Sequence, residues 1–280
     1  MAHKAILLLT LVMLALAGHG LALNLTCLTS APDQDQLAVI KQMALAENHA
    51  MAHGQDMFGN QVLDVPTYFH VLSESENAEG GWIPDSQLDS LIAQLNAEYN
   101  KHRISFTLRG KTHTVNAQWA NALFDKAFSD AREALRAGGY GSLNVFFQKS
   151  VGDHQAGSFC TRPASAPTDY SQDGCTLILG MYNVATLTHE VGHWLGLLHT
   201  FEGGCNADPV HGGDYVADTP AEASTNYSDC TLGRDSCPTL AGRDPIFNHM
   251  SYSSCSNRHF THDQGVRMHN QWNYYRAGYE

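Results

Sequence analysis

Residues 189–199 read His189-Glu190-Val191-Gly192-His193-Trp194-Leu195-Gly196-Leu197-Leu198-His199. Residues four apart share one face of an α-helix, so His189 and His193 project together. Two imidazoles placed that way can hold one metal ion. Glu190 follows the first and can reach a water at that metal. Gly196 suits a left-handed turn that a residue with a Cβ resists, and such a turn ends a helix. The turn brings back His199 as a third nitrogen ligand. Three neutral nitrogens plus a water make an open, catalytic kind of zinc site rather than a closed structural one. An isolated His-Glu-x-x-His is a weak signal. The eleven-residue form, with Gly196 and His199 in place, is far more specific.

The rest of the chain sets this motif in an exported protein. Its 280 residues suit one catalytic domain. The formal charge of −12, with no basic stretch, argues against nucleic acid or an anionic membrane as partner. Lys4, the apolar run Ala5–Ala17 and the small residues at Gly20-Leu21-Ala22 read as a secretory signal over residues 1–22, too short for a membrane span. Seven cysteines fit an oxidising compartment, and an odd count leaves one unpaired within the chain. Six lie in the C-terminal half, whereas Cys27 stands alone far upstream. Asn24 and Asn226 begin sequons and are glycosylation candidates.

Residues 23–61 are polar, with a helix-like patch at 37–48, and read as a propeptide. An ordered N-terminal arm of the mature domain is the competing reading. The catalytic domain is expected over 62–280, divided into subdomains 62–199 and 200–280. In the first, Leu63–Ser73 has strand composition. Asp85 is placed to cap a helix from Gln87 to about Lys101, with Leu88, Leu91, Ile92 and Leu95 on one face. Strands follow at 104–108, 143–147 and 175–180, a second helix at 117–137, and an irregular connection at 151–173. The metal-binding helix starts near Val184. This order predicts an α/β (α+β) fold with a twisted mixed sheet packed on two long helices. After His199 the chain is rich in Gly, Asp, Pro and Cys, so the second subdomain should depend on disulfides. The cleft is expected between the two parts.

The motif resembles the zinc site of the metzincin endopeptidases. Asn248-His249-Met250-Ser251-Tyr252 is similar to the methionine turn of that class. His199-Thr200-Phe201-Glu202-Gly203-Gly204-Cys205 and 213–220 (Gly-Asp-Tyr-Val-Ala-Asp-Thr-Pro) narrow the resemblance to the pappalysin family. It spans about residue 63 to the C-terminus and is strongest over 188–255. It implies a secreted zinc endopeptidase, expected as a monomer, acting on proteins or peptides. By this resemblance His189, His193 and His199 are the zinc ligands and Glu190 the general base. Met250 is the apolar floor and Tyr252 the stabiliser of the tetrahedral intermediate. A packed turn tyrosine remains the simpler reading of Tyr252. The rival function is an inactive secreted homologue that serves as a binding protein.

Further expectations come from the same resemblance. It pairs Cys205–Cys237, Cys230–Cys255 and Cys160–Cys175. It allows calcium near Glu202, Asp214, Asp218 and Thr219, whose oxygens suit that ion, while a solvated acidic loop explains them equally well. Cys27 matches the propeptide cysteine by which some relatives stay latent, though the usual following glycine is replaced by Leu28. A free or intermolecular thiol stands beside that reading. Ser251 replaces the usual Asp, and Ser253-Ser254-Cys255 is short and uncharged. A preference for Arg or Lys after the scissile bond is therefore not implied. His211, His249, His259 and His262 lack ligand spacing and read as surface or turn residues.

Overall fold

A computed structural model of the chain describes residues 27–55, 57, 61–150, 157–165, 170–206, 208–223 and 229–279. The signal segment, Asn24, Asn226 and residues 56 and 58–60 beside the expected propeptide boundary lie outside them. Five strands form one mixed sheet: β1 (Leu63–Ser73), β2 (Ile104–Val115), β3 (Leu143–Gln148), β4 (Phe159–Cys160) and β5 (Cys175–Ile178), in the order β2-β1-β3-β5-β4. All neighbours are parallel except β4, which runs antiparallel to β5 at one edge. Alternation along the strands sends Val65, Phe69, Val145, Phe147 and Leu177 into the main core. Leu72 and Phe146 face the other side, against Ala131. All of β3 is buried, as parallel strands covered on both faces are. Of its two polar residues, Asn144 bonds to the Ala137 backbone through both its oxygen and its nitrogen, and Gln148 Nε2 donates to Trp119 O.

Two helices cover the first face. In α2 (Asp85–Tyr99) the buried residues Leu88, Leu91 and Leu95 form one stripe. Pro84, not Asp85, occupies its N-cap, and Asp85 lies in the first turn, where its charge suits the helix dipole. The helix stops at Tyr99, short of Lys101, because the chain tightens into a turn closed by left-handed Arg103. The other helix on this face is α5 (Val184–Trp194). On the second face, the single helix expected at 117–137 is instead two, α3 (Ala117–Ala120) and α4 (Lys126–Leu135). Phe124 adopts φ 50° between them, and Asp125 starts the next helix by accepting from Phe128 N. β2 continues to Val115, beyond the expected 108, by pairing with β1 across a bulge at Thr67/Tyr68. β5 ends at Ile178, before Gly180. The connection read as irregular contains the edge strand β4.

The two ends of the described chain meet. The N-terminal patch is a full helix, α1 (Gln34–Ala52), opened by a capping box of Asp33 and Gln36. The last helix, α6 (His262–Tyr275), was not anticipated. Its Met268 and Trp272 enter the main core, so the 200–280 region shares the principal core and does not rest on disulfides alone. Gln264, Arg267, His269 and Gln271 are also buried in α6, which blurs the apolar periodicity in sequence. Disulfides join Cys160–Cys175, Cys205–Cys237 and Cys230–Cys255. Among the described residues no helix is long and apolar enough to cross a membrane.

Candidate active site

Helix α5 begins where Asn183 accepts a hydrogen bond from Thr186 N, and it presents His189 and His193 one turn apart. Gly196 follows with φ 91°, and a Cβ there would meet Gln271 at 2.5 Å. The turn therefore requires glycine twice over, for its dihedral and for the close approach of α6. It delivers His199 to within 3.0 Å of His193, Nε2 to Nε2. His189 Nδ1 donates to the carbonyl of His249 at 2.7 Å, and His193 Nδ1 to that of Leu197 at 2.8 Å. These bonds place the proton on Nδ1 and leave Nε2 with a bare lone pair. His189 Nε2 is buried without a hydrogen-bond partner. Burial, then the nearby Arg258 and Arg162, holds His189 down to about 4, while burial keeps His193 and His199 well below the usual range. Three neutral imidazoles with converging lone pairs fit a divalent cation.

Cys27 completes the cluster. Its sulfur and the three histidine nitrogens all lie within 4.8 Å of one another. Cys27 Sγ also donates to Glu190 Oε2 at 3.4 Å, and Thr29 Oγ1 donates to the same oxygen at 3.1 Å. Burial and the charge of Glu190 push the thiol up. Burial raises Glu190 to about 7, although Cys27, Thr29 and Arg162 all act to lower it. A carboxyl group so placed sits where a general base or acid works near neutrality. The Tyr252 hydroxyl donates to the Cys27 carbonyl at 3.4 Å, and its ring stands edge-on to His199, 4.9 Å between centroids. A packed turn tyrosine with its hydroxyl in a hydrogen bond fits this geometry, and so does a hydroxyl placed beside the cluster.

Met250 is fully buried beneath α5. A Cβ on Gly192 would strike its sulfur at 2.6 Å, so the glycine between the two helical histidines is what lets the methionine approach. Asn248 accepts from Met250 N, and its amide exchanges two hydrogen bonds with Gln264 of α6. His249 is a turn residue and is buried: its ring packs against Phe260, and its carbonyl orients His189.

The oxygens considered for calcium divide. Asp214 and Thr219 line one small cavity with Thr200, Asn206 and Asp208. Asp214 Oδ2 and Thr219 Oγ1 are buried there without a hydrogen bond of normal geometry, although Thr219 is near enough to lower the Asp214 carboxyl. Burial outweighs that effect and raises Asp214 to about 7. Glu202 does not line this cavity. Asp218 is exposed and accepts from Asp263 N at the start of α6. Its carboxylate therefore serves the helix terminus.

Several participants carried no sequence signal. Thr29 reaches Glu190 because the N-terminal segment folds back across the cleft, and Arg162 acts on it from the chain after β4. Leu28 N donates to Ser158 O at 2.9 Å, and Thr29 Oγ1 accepts from Cys160 N at 3.0 Å. Further along, Leu37, Ile40 and Ala44 of α1 pack on Leu198 and Tyr215. Glu47 of α1 meets Arg267 of α6 in a buried bidentate pair.

A mixed sheet carrying a histidine helix over a methionine turn defines the metallopeptidase class. Comparison with known proteins agrees. Residues 140–273 match the peptidase M43 family, described as Pregnancy-associated plasma protein-A. An extracellular metalloprotease of Neurospora crassa is 39% identical over 279 residues, covering 93% of this chain and 94% of that protein. Extracellular metalloprotease 1 of Coccidioides posadasii is 40% identical over 267 residues, covering 90% and 91%. A solved structure of a Tannerella forsythia promirolysin mutant shares the fold at TM-score 0.62 and 20% identity, covering 89% of this chain and 94% of that one. Mirolysin in complex with a small compound does so at TM-score 0.60 and 22% identity, covering 76% and 93%. The chain belongs to the pappalysin family of metallopeptidases and is a secreted zinc metalloendopeptidase.

Proposed function

We propose that His189, His193 and His199 hold the catalytic zinc and that Glu190 is the general base. The observation that carries this reading is the pair of Nδ1 hydrogen bonds to backbone carbonyls, which leaves Nε2 of His189 and His193 bare and directed at one point. A zinc ion held there polarises the substrate carbonyl and makes a water easier to deprotonate. Glu190 takes the proton of the attacking water and passes it to the leaving amine. The Tyr252 hydroxyl donates to the carbonyl oxygen as negative charge develops on it, an interaction strongest in the transition state. Met250 fixes the floor under α5 and touches no reacting atom. Glu190→Ala tests the assignment: zinc content stays at one per chain while cleavage of casein is lost. Retained cleavage would overturn the role of Glu190. An inactive binding homologue is not favoured, since Glu190 is present and in reach.

We also infer that residues 23–61 form a propeptide and that Cys27 keeps the enzyme latent. The thiol lies where a water and a substrate carbonyl must sit, and a thiolate is a good zinc ligand. A cation at this point would reverse the upward push on the thiol. Cys27→Ala should make the full-length protein active without processing; a silent variant that still binds zinc would count against latency. Calcium is assigned to the cavity of Asp214 and Thr219, where a buried carboxyl oxygen of Asp214 and the Thr219 hydroxyl suit a hard cation.

A further inference from the structure

The segment after Cys27 meets the chain around β4 at three successive residues. Leu28 N donates to Ser158 O at 2.9 Å, Cys160 N donates to Thr29 Oγ1 at 3.0 Å, and Arg162 Nε donates to Ser30 O at 2.7 Å. Arg162 is the last of these partners. Its Nη1 donates to Leu197 O at 2.8 Å, the same carbonyl that orients His193. The side chain is therefore tied directly to the metal-binding turn.

Three other arginines show a partner that Arg162 lacks, whereas Arg132, also without an ion pair among the described residues, lies over the rings of Phe128 and Phe146. Arg267 faces Glu47, Arg276 faces Asp173, and Arg234 faces Asp244, each in an ion pair. Both hydrogen bonds of Arg162 among the described residues go to neutral carbonyls. Glu190 and Glu202 act on it through space without an ion-pair contact. Arg267 takes Glu47 side-on, through Nε and Nη2. The same edge of Arg162 is the one capped by Ser30. Beside it lies a crevice lined by Gln36, Ile40, Pro163, Gly196 and Gln271. Two of those residues leave with α1, which opens the crevice and frees that edge.

We propose that Arg162 is a specificity residue of the mature enzyme, selecting an acidic side chain in the peptide, within three residues on one side of the scissile bond. The distance follows from the latent segment, in which Ser30 lies three residues from Cys27 at the metal. A carboxylate fits the freed side-on edge in the geometry that Arg267 shows with Glu47. The proposal rests on the reading that residues 27–30 leave the cleft of an active peptidase.

The test is cleavage-site profiling of the processed enzyme on a peptide library, with wild type, Arg162→Gln and Arg162→Glu. Wild type should enrich Asp and Glu at one position within three residues of the cut. Arg162→Gln should lower the ratio of kcat/KM for an acidic peptide to that for its neutral analogue by about tenfold or more, mainly through KM. Arg162→Glu should shift the preference to Lys and Arg. Zinc content and cleavage of the neutral peptide report whether each variant is folded. Arg162→Lys, which keeps charge but not the planar fork, should retain part of the preference. An unchanged profile in the variants, or an equal loss on all peptides, would overturn the proposal and leave Arg162 structural. A wild-type protein without zinc-dependent cleavage would instead sink the site assignment on which it rests.

Discussion

At the scale of single residues, the site depends on glycines as much as on histidines. Gly196 is required by φ 91° and by Gln271 at 2.5 Å from any added Cβ. Gly196→Ala should cost about 1–3 kcal/mol from backbone strain alone. Zinc affinity should fall with it, because His199 depends on that turn; calorimetric melting and zinc titration would measure both. Thr29 adds a second hold on the general base, through Oγ1 to Glu190 at 3.1 Å. Thr29→Val keeps the shape and removes the donor. The full-length protein should then gain activity while Cys27 remains, though less than Cys27→Ala gains. Equal latency in a casein assay would show that the thiol alone is sufficient.

At the scale of elements, α1 is held to the enzyme by one apolar patch and one charged latch. The Glu47–Arg267 pair is buried and bidentate, and Asn270 also donates to Glu47. Breaking a buried pair by removing one partner costs about 3–5 kcal/mol, since the other charge remains unpaired. Glu47→Ala should therefore loosen α1 in the uncleaved protein and speed activation, read as a shorter lag before casein cleavage. If processing removes α1 as proposed, the mature enzyme should not show the effect. The sequence marked this element only as a polar helical patch, because its partners lie 220 residues away in α6. α6 itself was missed for a related reason: its buried face mixes Arg267, Gln271 and His269 with Val266 and Trp272. The Thr261–Gln264 capping box was present in the sequence as a start signal, but no clean apolar stripe followed it.

At the scale of the whole molecule, the loop-rich half is stabilised by disulfides as well as by its share of the core. Cys205–Cys237 and Cys230–Cys255 close loops with separations of 32 and 25 residues. Losing such a bond typically costs about 2–5 kcal/mol. Asp214 makes stability depend on pH when calcium is withheld. Its folded value of about 7 lies above the ordinary carboxyl value, so the folded state prefers the proton. The stabilisation is fully present below about 4 and is lost as pH rises through about 7. In a calcium chelator that spares zinc, Tm should fall between pH 5 and 8. Added calcium should remove most of that fall, because the cation then balances the carboxylate. A calcium-independent pH profile would argue against the ion.

The sequence by itself determined the chemistry of the centre and the outline of the sheet. Local spacing suffices when the clustered side chains sit on one helix and one turn, as those of His189, His193 and His199 do. Hydrophobic patterning suffices for strands buried on both faces, such as β3. Only the tertiary structure decided what surrounds the centre. Thr29 and Arg162 reach Glu190 and Ser30 from far along the chain. Asn248 is locked to Gln264, and Cys27 is seated among the histidines. Those contacts depend on how distant segments pack and on which polar groups burial leaves without water, and neither property is periodic in the sequence.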